Sequence, residues 1–246
     1  MASVQVRADG VDLDSPTLIE GLPGAGLVGK IAADHLVEEF EMTHYADVRC
    51  EGLADVAVYE ADSRAVLTPV RIYADEERDL LVLQSDVPVS PSSAEAFVGC
   101  LSGWVAERDA FPLYLSGLPV EEKSDVPALF GVATGAAGDR VADAGIEPPE
   151  QGGLVSGPTG ALLARAADEE LDSVALVVET EAQFPDPEAA RTLLQNGIEP
   201  LAGIEVDTEE LVERAAEIRE AREQLAQRLH EAQDESTQAQ PIRGFQ

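Results

Sequence analysis

The chain has 246 residues, 45% of them hydrophobic, enough for one substantial α/β domain or two small ones with a real core. Its 48 acidic residues face 16 basic ones, for a net charge of −32 spread along the whole length. That balance leaves no basic stripe to displace counterions from phosphates, and it argues against nucleic acid and against anionic membranes as partners. Arginine supplies 14 of the 16 basic residues, Lys30 and Lys123 being the two lysines. Diffuse acidity with scarce lysine suggests a halophile cytoplasm, where high salt screens self-repulsion and carboxylates keep the surface hydrated.

From the N-terminus, "MASVQVRADG" lacks the apolar core of a signal peptide. No apolar run approaches the ~18 residues that span a bilayer, so the expected compartment is the cytoplasm. Thr17–Glu20 predicts a short buried strand, followed by the glycine loop "GLPGAGLVGK" (Gly21–Lys30) and a helix over Val28–Phe40. Val56–Tyr59 and Ala65–Thr68 are candidate strands. Val70–Ala74 and Leu80–Gln84 flank a charged turn, Asp75–Asp79, which predicts a hairpin and hence a mixed sheet. Ser92-Ser-Ala-Glu95 has the spacing of a capping box for a helix running to about Arg108. Cys100 shares a helical stripe with Phe97, Leu101, Trp104 and Val105, the pattern of a core thiol; with Cys50 it makes two cysteines, too few for a disulfide framework.

Pro112–Leu115 and Ala128–Ala133 read as further strands. A second glycine cluster, Gly152–Gly160, leads into a helix over Ala161–Glu170, and "SVALVVE" (Ser173–Glu179) is the clearest buried strand. Asp186-Pro187 opens another helix with a cap and a first-turn proline, and Asn196-Gly197 is its expected end. Asp207-Thr-Glu-Glu210 caps a last long helix reaching about Glu231. Alternating strands and helices predict a three-layer α/β/α fold with a mixed, mostly parallel sheet. The expected organisation is one domain over 1–205, an appended helix over 206–232, and a polar tail over 233–246.

The glycine loop fits two nucleotide patterns. Gly24, Gly29 and Lys30 match a phosphate-binding G-x-x-x-x-G-K, but Ile31 stands where a Ser or Thr should ligate Mg²⁺, and Asp86 after "LLVLQS" is a weak partner for it. Gly24, Gly26 and Gly29 match G-x-G-x-x-G, with Asp47 or Glu51 at the offset of a ribose-binding acid. Against both stands a plain reading. Glycine permits positive φ and close packing where a strand turns sharply into a helix. Such a turn also leaves amides and Lys30 free to hold an anion without being an enzyme, or leaves Lys30 only to neutralise nearby acids.

Other chemistry is sparse. His35, His44 and His230 do not cluster with the cysteines, and no C-x-x-C, H-E-x-x-H or G-x-S-x-G spacing occurs, so no metal site and no catalytic nucleophile is expected. In the last helix, Leu211, Ala215, Ile218, Arg222, Leu225 and Leu229 form an a/d seam over about three heptads, suited either to its own domain or to another subunit. The tail carries Ile242 and, as penultimate residue, Phe245 before Gln246. An aromatic ring beside a terminal carboxylate on a flexible arm can plug a pocket.

Five stretches in this order resemble the archaeal branch of the proteasome assembly chaperone 2 family. They are "IEGLPGAGLVGKIAADHL" (Ile19–Leu36), "RIYADEERDLLVL" (Arg71–Leu83), "LFGVAT" (Leu129–Thr134), "GGLVSGPTGALL" (Gly152–Leu163) and "VVETEAQFPDPEAARTLL" (Val177–Leu194). The resemblance implies a fold similar to the purine nucleoside phosphorylases without their catalytic residues. It implies a non-enzymatic, cofactor-free homo-oligomer that binds proteasome core α subunits. Family members dock through a C-terminal hydrophobic–Tyr–any-residue motif. Here those positions are Gly244, Phe245 and Gln246: Phe keeps the ring and loses the hydroxyl, Gly removes the hydrophobic side chain, and Ile242 lies two positions away. Some relatives carry an ATP-grasp label, and a nucleotide-binding enzyme using Gly24–Lys30 is the alternative reading; no metal-binding carboxylate pattern supports it.

Overall fold

The computed structural model describes residues 3–216, apart from 9, 52, 60, 62, 122, 123, 125 and 214. Among the described residues, eight strands form one sheet: β1 (Ser3–Val6), β2 (Thr17–Gly21), β3 (Thr43–Arg49), β4 (Val70–Asp75), β5 (Leu80–Ser85), β6 (Phe111–Pro119), β7 (Leu129–Thr134) and β8 (Ser173–Thr180). The order across the sheet is β1-β3-β4-β5-β2-β6-β8-β7. The middle four, β5-β2-β6-β8, are parallel, and the outer pairings are antiparallel. The sheet is mixed as expected but not mostly parallel: three of its seven pairings are parallel, all at its centre, and four are antiparallel.

Helices cover both faces. On one lie α1 (Val28–Glu39), α3 (Gly138–Asp143), α5 (Pro187–Leu193) and the short α6 (Glu199–Ala202); on the other lie α2 (Ala94–Ala106) and α4 (Gly157–Asp168). Successive strand residues point to opposite faces. In β2, Ile19 therefore joins Ala32, Ala33 and Leu36 of α1, while Leu18 joins the core of Phe97, Leu101 and Leu162. A strand covered on both faces reads as an almost unbroken apolar run. That is why Thr17–Glu20 and Ser173–Glu179 stand out in the sequence.

Several local expectations are corrected. The Ser92–Glu95 capping box does not form: residues 91–93 make a 3₁₀ turn, and Ser90 Oγ bonds the hydroxyls of Ser92 and Ser93 instead. Val56–Tyr59 and Ala65–Thr68 join no sheet and meet at a single bridge, Val58–Leu67. Cys100 is not a core thiol. It is half-buried and disulfide-bonded to Cys50, with Cα atoms 6.3 Å apart, tying the end of β3 to α2. Asn196-Gly197 does not end its helix. The chain passes through a π turn over Leu194–Ile198 and α6, and stops at Gly203 with φ +69°. Gly197 serves packing: a Cβ there would lie 2.7 Å from a Leu176 methyl.

Candidate functional site

The parallel strands end together on one edge of the sheet. The order reverses around β2: α1 leaves it on one face, while α2 reaches its other neighbour, β6, along the opposite face. Such a switch point is where open α/β sheets form their sites. The glycine loop lies here, between β2 and α1.

The loop is held by its neighbours. Gly26 has φ +61°, and a Cβ on it would sit 2.1 Å from the Thr180 hydroxyl at the end of β8. Gly117 of β6 faces the Ala25 carbonyl, with room for no side chain (2.5 Å to a built Cβ). The Asp186 amide donates to the Gly26 carbonyl at 2.9 Å. Asp186 also accepts from the Thr180 hydroxyl (2.9 Å), the Glu181 amide (3.3 Å) and the Ala189 amide (3.1 Å), so one carboxylate caps α5 and anchors the loop floor. Only Gly24 stands clear of other atoms, in an extended conformation. The left-handed φ and the Thr180 side chain thus account for Gly26, and a built Cβ on Gly29 would crowd Leu115 at 3.2 Å.

Lys30 turns to carboxylates. Its Nζ lies 2.9 Å from Asp34 and 3.3 Å from Asp86. Asp86 in turn pairs with Arg71 Nη1 at 2.8 Å, and the buried Arg71 donates to Gln84 and to the Tyr73 hydroxyl. The residue weighed as a Mg²⁺-binding acid is therefore a partner of the lysine. The residue at the ribose-binding offset is also elsewhere. Asp47 lies on β3, separated from β2 by β4 and β5, and the strand after α1 runs antiparallel to its neighbours rather than completing a parallel βαβ unit. Asp47 is buried and accepts from Arg7 Nε (2.7 Å), the Thr68 hydroxyl (2.8 Å) and His44 (3.0 Å). Burial pushes its pKa up, but the bonds from Arg7 and Thr68 and the nearby positive charge outweigh that and leave it below the ordinary value. It lines a cleft of about 590 Å³ with His44, Cys50, Val56 and Leu67.

A residue that belongs to no sequence motif sits at the centre. Glu20 is fully buried beneath the loop. Its Oε1 accepts from the Thr159 hydroxyl of α4 at 2.9 Å and its Oε2 from the Leu115 amide of β6 at 3.3 Å. Burial raises its pKa to about 8 despite those bonds. Tyr114 beside it is raised too, by burial first and then by the Glu20 charge. The signal was a lone acid inside the run "TLIEG"; its partner 139 residues away was not readable.

Of the other singled-out residues, Leu211 is fully buried in the α1-side core, with residues 209–213 and 215–216 helical. Ile218, Leu225, Leu229, Ile242, Phe245 and Gln246 lie outside the described residues. Among the described residues, no group of three His, Cys, Asp or Glu side chains could hold a metal ion, and no helix is long and apolar enough to cross a membrane.

Comparison with known proteins adds the following. The sequence model of the PAC2 family matches residues 18–226. The uncharacterized protein MJ1210 of Methanocaldococcus jannaschii is 28% identical, over 92% of this chain and 88% of its own. Pyrococcus furiosus PbaB, an archaeal proteasome activator, superposes with a TM-score of 0.77 and 25% identity, covering 92% of this chain and 98% of its own. Pyrococcus furiosus PbaA, an archaeal homolog of proteasome-assembly chaperone, gives a TM-score of 0.79 at 22% identity, covering 95% of this chain and all of its own.

Proposed function

Because this chain belongs to the PAC2 family, we propose that it is a proteasome-assembly-chaperone-like protein, acting by protein–protein contact on proteasome core α subunits. The observation that carries the reading is the near full-length match to the proteasome activator PbaB. The packing of the glycine loop supports it from the other side. Gly26 is taken up by its left-handed φ and the Thr180 side chain, Gly117 by the Ala25 carbonyl and Lys30 by carboxylate pairing, which favours a structural turn over a phosphate cradle. In this reading the contact is made by the tail: Phe245 supplies the ring, Gln246 follows it, and Ile242 supplies the apolar side chain that Gly244 lacks. The protein works as a homo-oligomer in the cytoplasm, and its acidity suits a haloarchaeal, salt-rich one.

The test is capture of proteasome α subunits by the full chain at molar salt, with and without Arg243–Gln246. The truncated chain should bind at least about tenfold more weakly, a loss of about 1.4 kcal/mol. No capture by the full chain would remove the proposal; equal capture by both would move the contact off the tail.

A further inference from the structure

The chain has two cysteines, and the fold joins them. Cys50 follows the last residue of β3, and Cys100 lies midway along α2, 50 residues later. Both anchors stand on other contacts. Val48 of β3 and Phe97 and Leu101 of α2 are at most 1% exposed in one shared core. β3 is also paired on both sides, to β1 and to β4. The segment that leaves Cys50 is held far less. Among the described residues of 51–66, backbone hydrogen bonds leave the segment only for Cys50 and Leu67. The Leu53 amide donates to the Cys50 carbonyl at 3.3 Å, and Val58 exchanges a pair of bonds with Leu67. Of those residues Leu53 and Val58 are half-buried and the rest are exposed. Firm attachment returns at Thr68, whose hydroxyl donates to Asp47 at 2.8 Å, and at Pro69, whose carbonyl accepts from the Asp86 amide at 2.9 Å. Cys50 is thus the upstream anchor of the segment. With Leu53, Val56 and Leu67 it also lines the Asp47 cleft.

We propose that the Cys50–Cys100 pair is a reversible redox clasp, opened by a dithiol, which fixes the 51–66 segment as a wall of the Asp47 cleft when closed and frees it when open. Compartment supplies the reversibility. A cytoplasm keeps thiols reduced, and a disulfide formed there is made and broken in use. This step rests on the cytoplasmic reading above and not on the binding of α subunits. Exposure supplies the point of attack, since Cys100 is half-buried and Cys50 buried. A thiolate of the dithiol bonds to Cys100 Sγ, and Cys50 leaves as a thiolate that takes up a proton. The second thiolate of the reductant then closes on the first and expels the Cys100 thiolate, which is protonated in turn. Two electrons and two protons reach the chain, and the dithiol departs as a disulfide. An oxidised dithiol runs the same steps backwards and closes the clasp. Because each anchor keeps its own core contacts, opening loosens the segment and leaves the sheet in place.

The experiment follows the full-length chain at about 2 M KCl in dithiothreitol buffers, from fully oxidising to the poise of a cytosol. Alkylation followed by mass measurement counts the free thiols, and amide exchange is read residue by residue. The pair should open at the cytosolic poise with far-UV circular dichroism unchanged. The Val58 and Leu67 amides should then exchange at least about tenfold faster, while those of Ile72 in β4 and Val82 in β5 hold. Cys50→Ser/Cys100→Ser should show the fast exchange in every buffer. A pair that stays closed at the cytosolic poise would overturn the proposal, as would opening that leaves Val58 and Leu67 unchanged. Loss of circular dichroism on reduction, or equal acceleration at Ile72 and Val82, would make the bond a support of the whole fold and overturn it as well.

Discussion

Glu20 joins three elements that are far apart in sequence: it sits on β2 and is bonded by β6 and α4. Its folded pKa of about 8 stands above the ordinary 4.5, so the folded protein holds this proton more tightly than the unfolded chain. The stability that follows is complete below about pH 4.5 and is lost as pH rises through 8, at about 1.4 kcal/mol per pH unit between those values. Glu20→Gln keeps the neutral shape and should remove that slope, so its Tm should gain on the wild type as pH climbs from 5 to 8. Parallel Tm–pH curves for the two proteins would contradict this. The glycines give a second residue-level contrast. Gly26→Ala adds a methyl against Thr180 at a left-handed φ and should cost about 2–4 kcal/mol in urea unfolding. Gly24→Ala meets nothing and should stay within about 0.5 kcal/mol. Equal losses would mean the loop is not held as described.

Among the elements, α5 depends most visibly on one side chain. Asp186→Ala removes the cap and strands the buried Thr180 hydroxyl and the Glu181 amide, which should cost about 2–4 kcal/mol, with Asp186→Asn recovering part. Identical denaturation midpoints for the alanine variant and the wild type would sink the assignment. This cap was legible because Asp-Pro acts within one turn. The same holds for β2, β8 and the β4–β5 hairpin, whose apolar runs and turn are local. What was hidden depends on distant partners. β3 reads "THYADVR", and its buried Asp47 makes sense only once Arg7 and Thr68 are placed against it. The 56–59 and 65–68 runs look like strands but find no sheet beyond one bridge. Ser92 has the right spacing from Glu95, yet Ser90 competes for its hydroxyl. The Cys50–Cys100 pair spans 50 residues that no local pattern connects.

For the whole molecule, a net charge of −32 over 246 residues makes stability depend on screening. Raising KCl from about 0.1 M to about 2 M should lift Tm by at least about 5 °C, read by scanning calorimetry; a flat or falling Tm would show that the carboxylates do not repel enough to matter. The layered architecture was legible from the alternation of elements. The position of the glycine loop was also legible, since strand, loop and helix adjoin. The contents of the edge around it were not, because Thr159, Thr180 and Asp186 arrive there only through the strand order.

That strand order also sets a sequence of events during synthesis. β2 lies in the middle of the sheet, yet its two partners begin at Leu80 and Phe111. The β4–β5 hairpin can close by itself across four residues, within microseconds of emerging. β2, made earlier, must wait for that hairpin on one side and for β6 on the other, and such long-range pairing is slow. Until β6 has been made, β2 therefore lacks its partner on one side, and the apolar edge it presents there adjoins a run, 21–33, that holds no carboxylate to repel a neighbouring nascent chain.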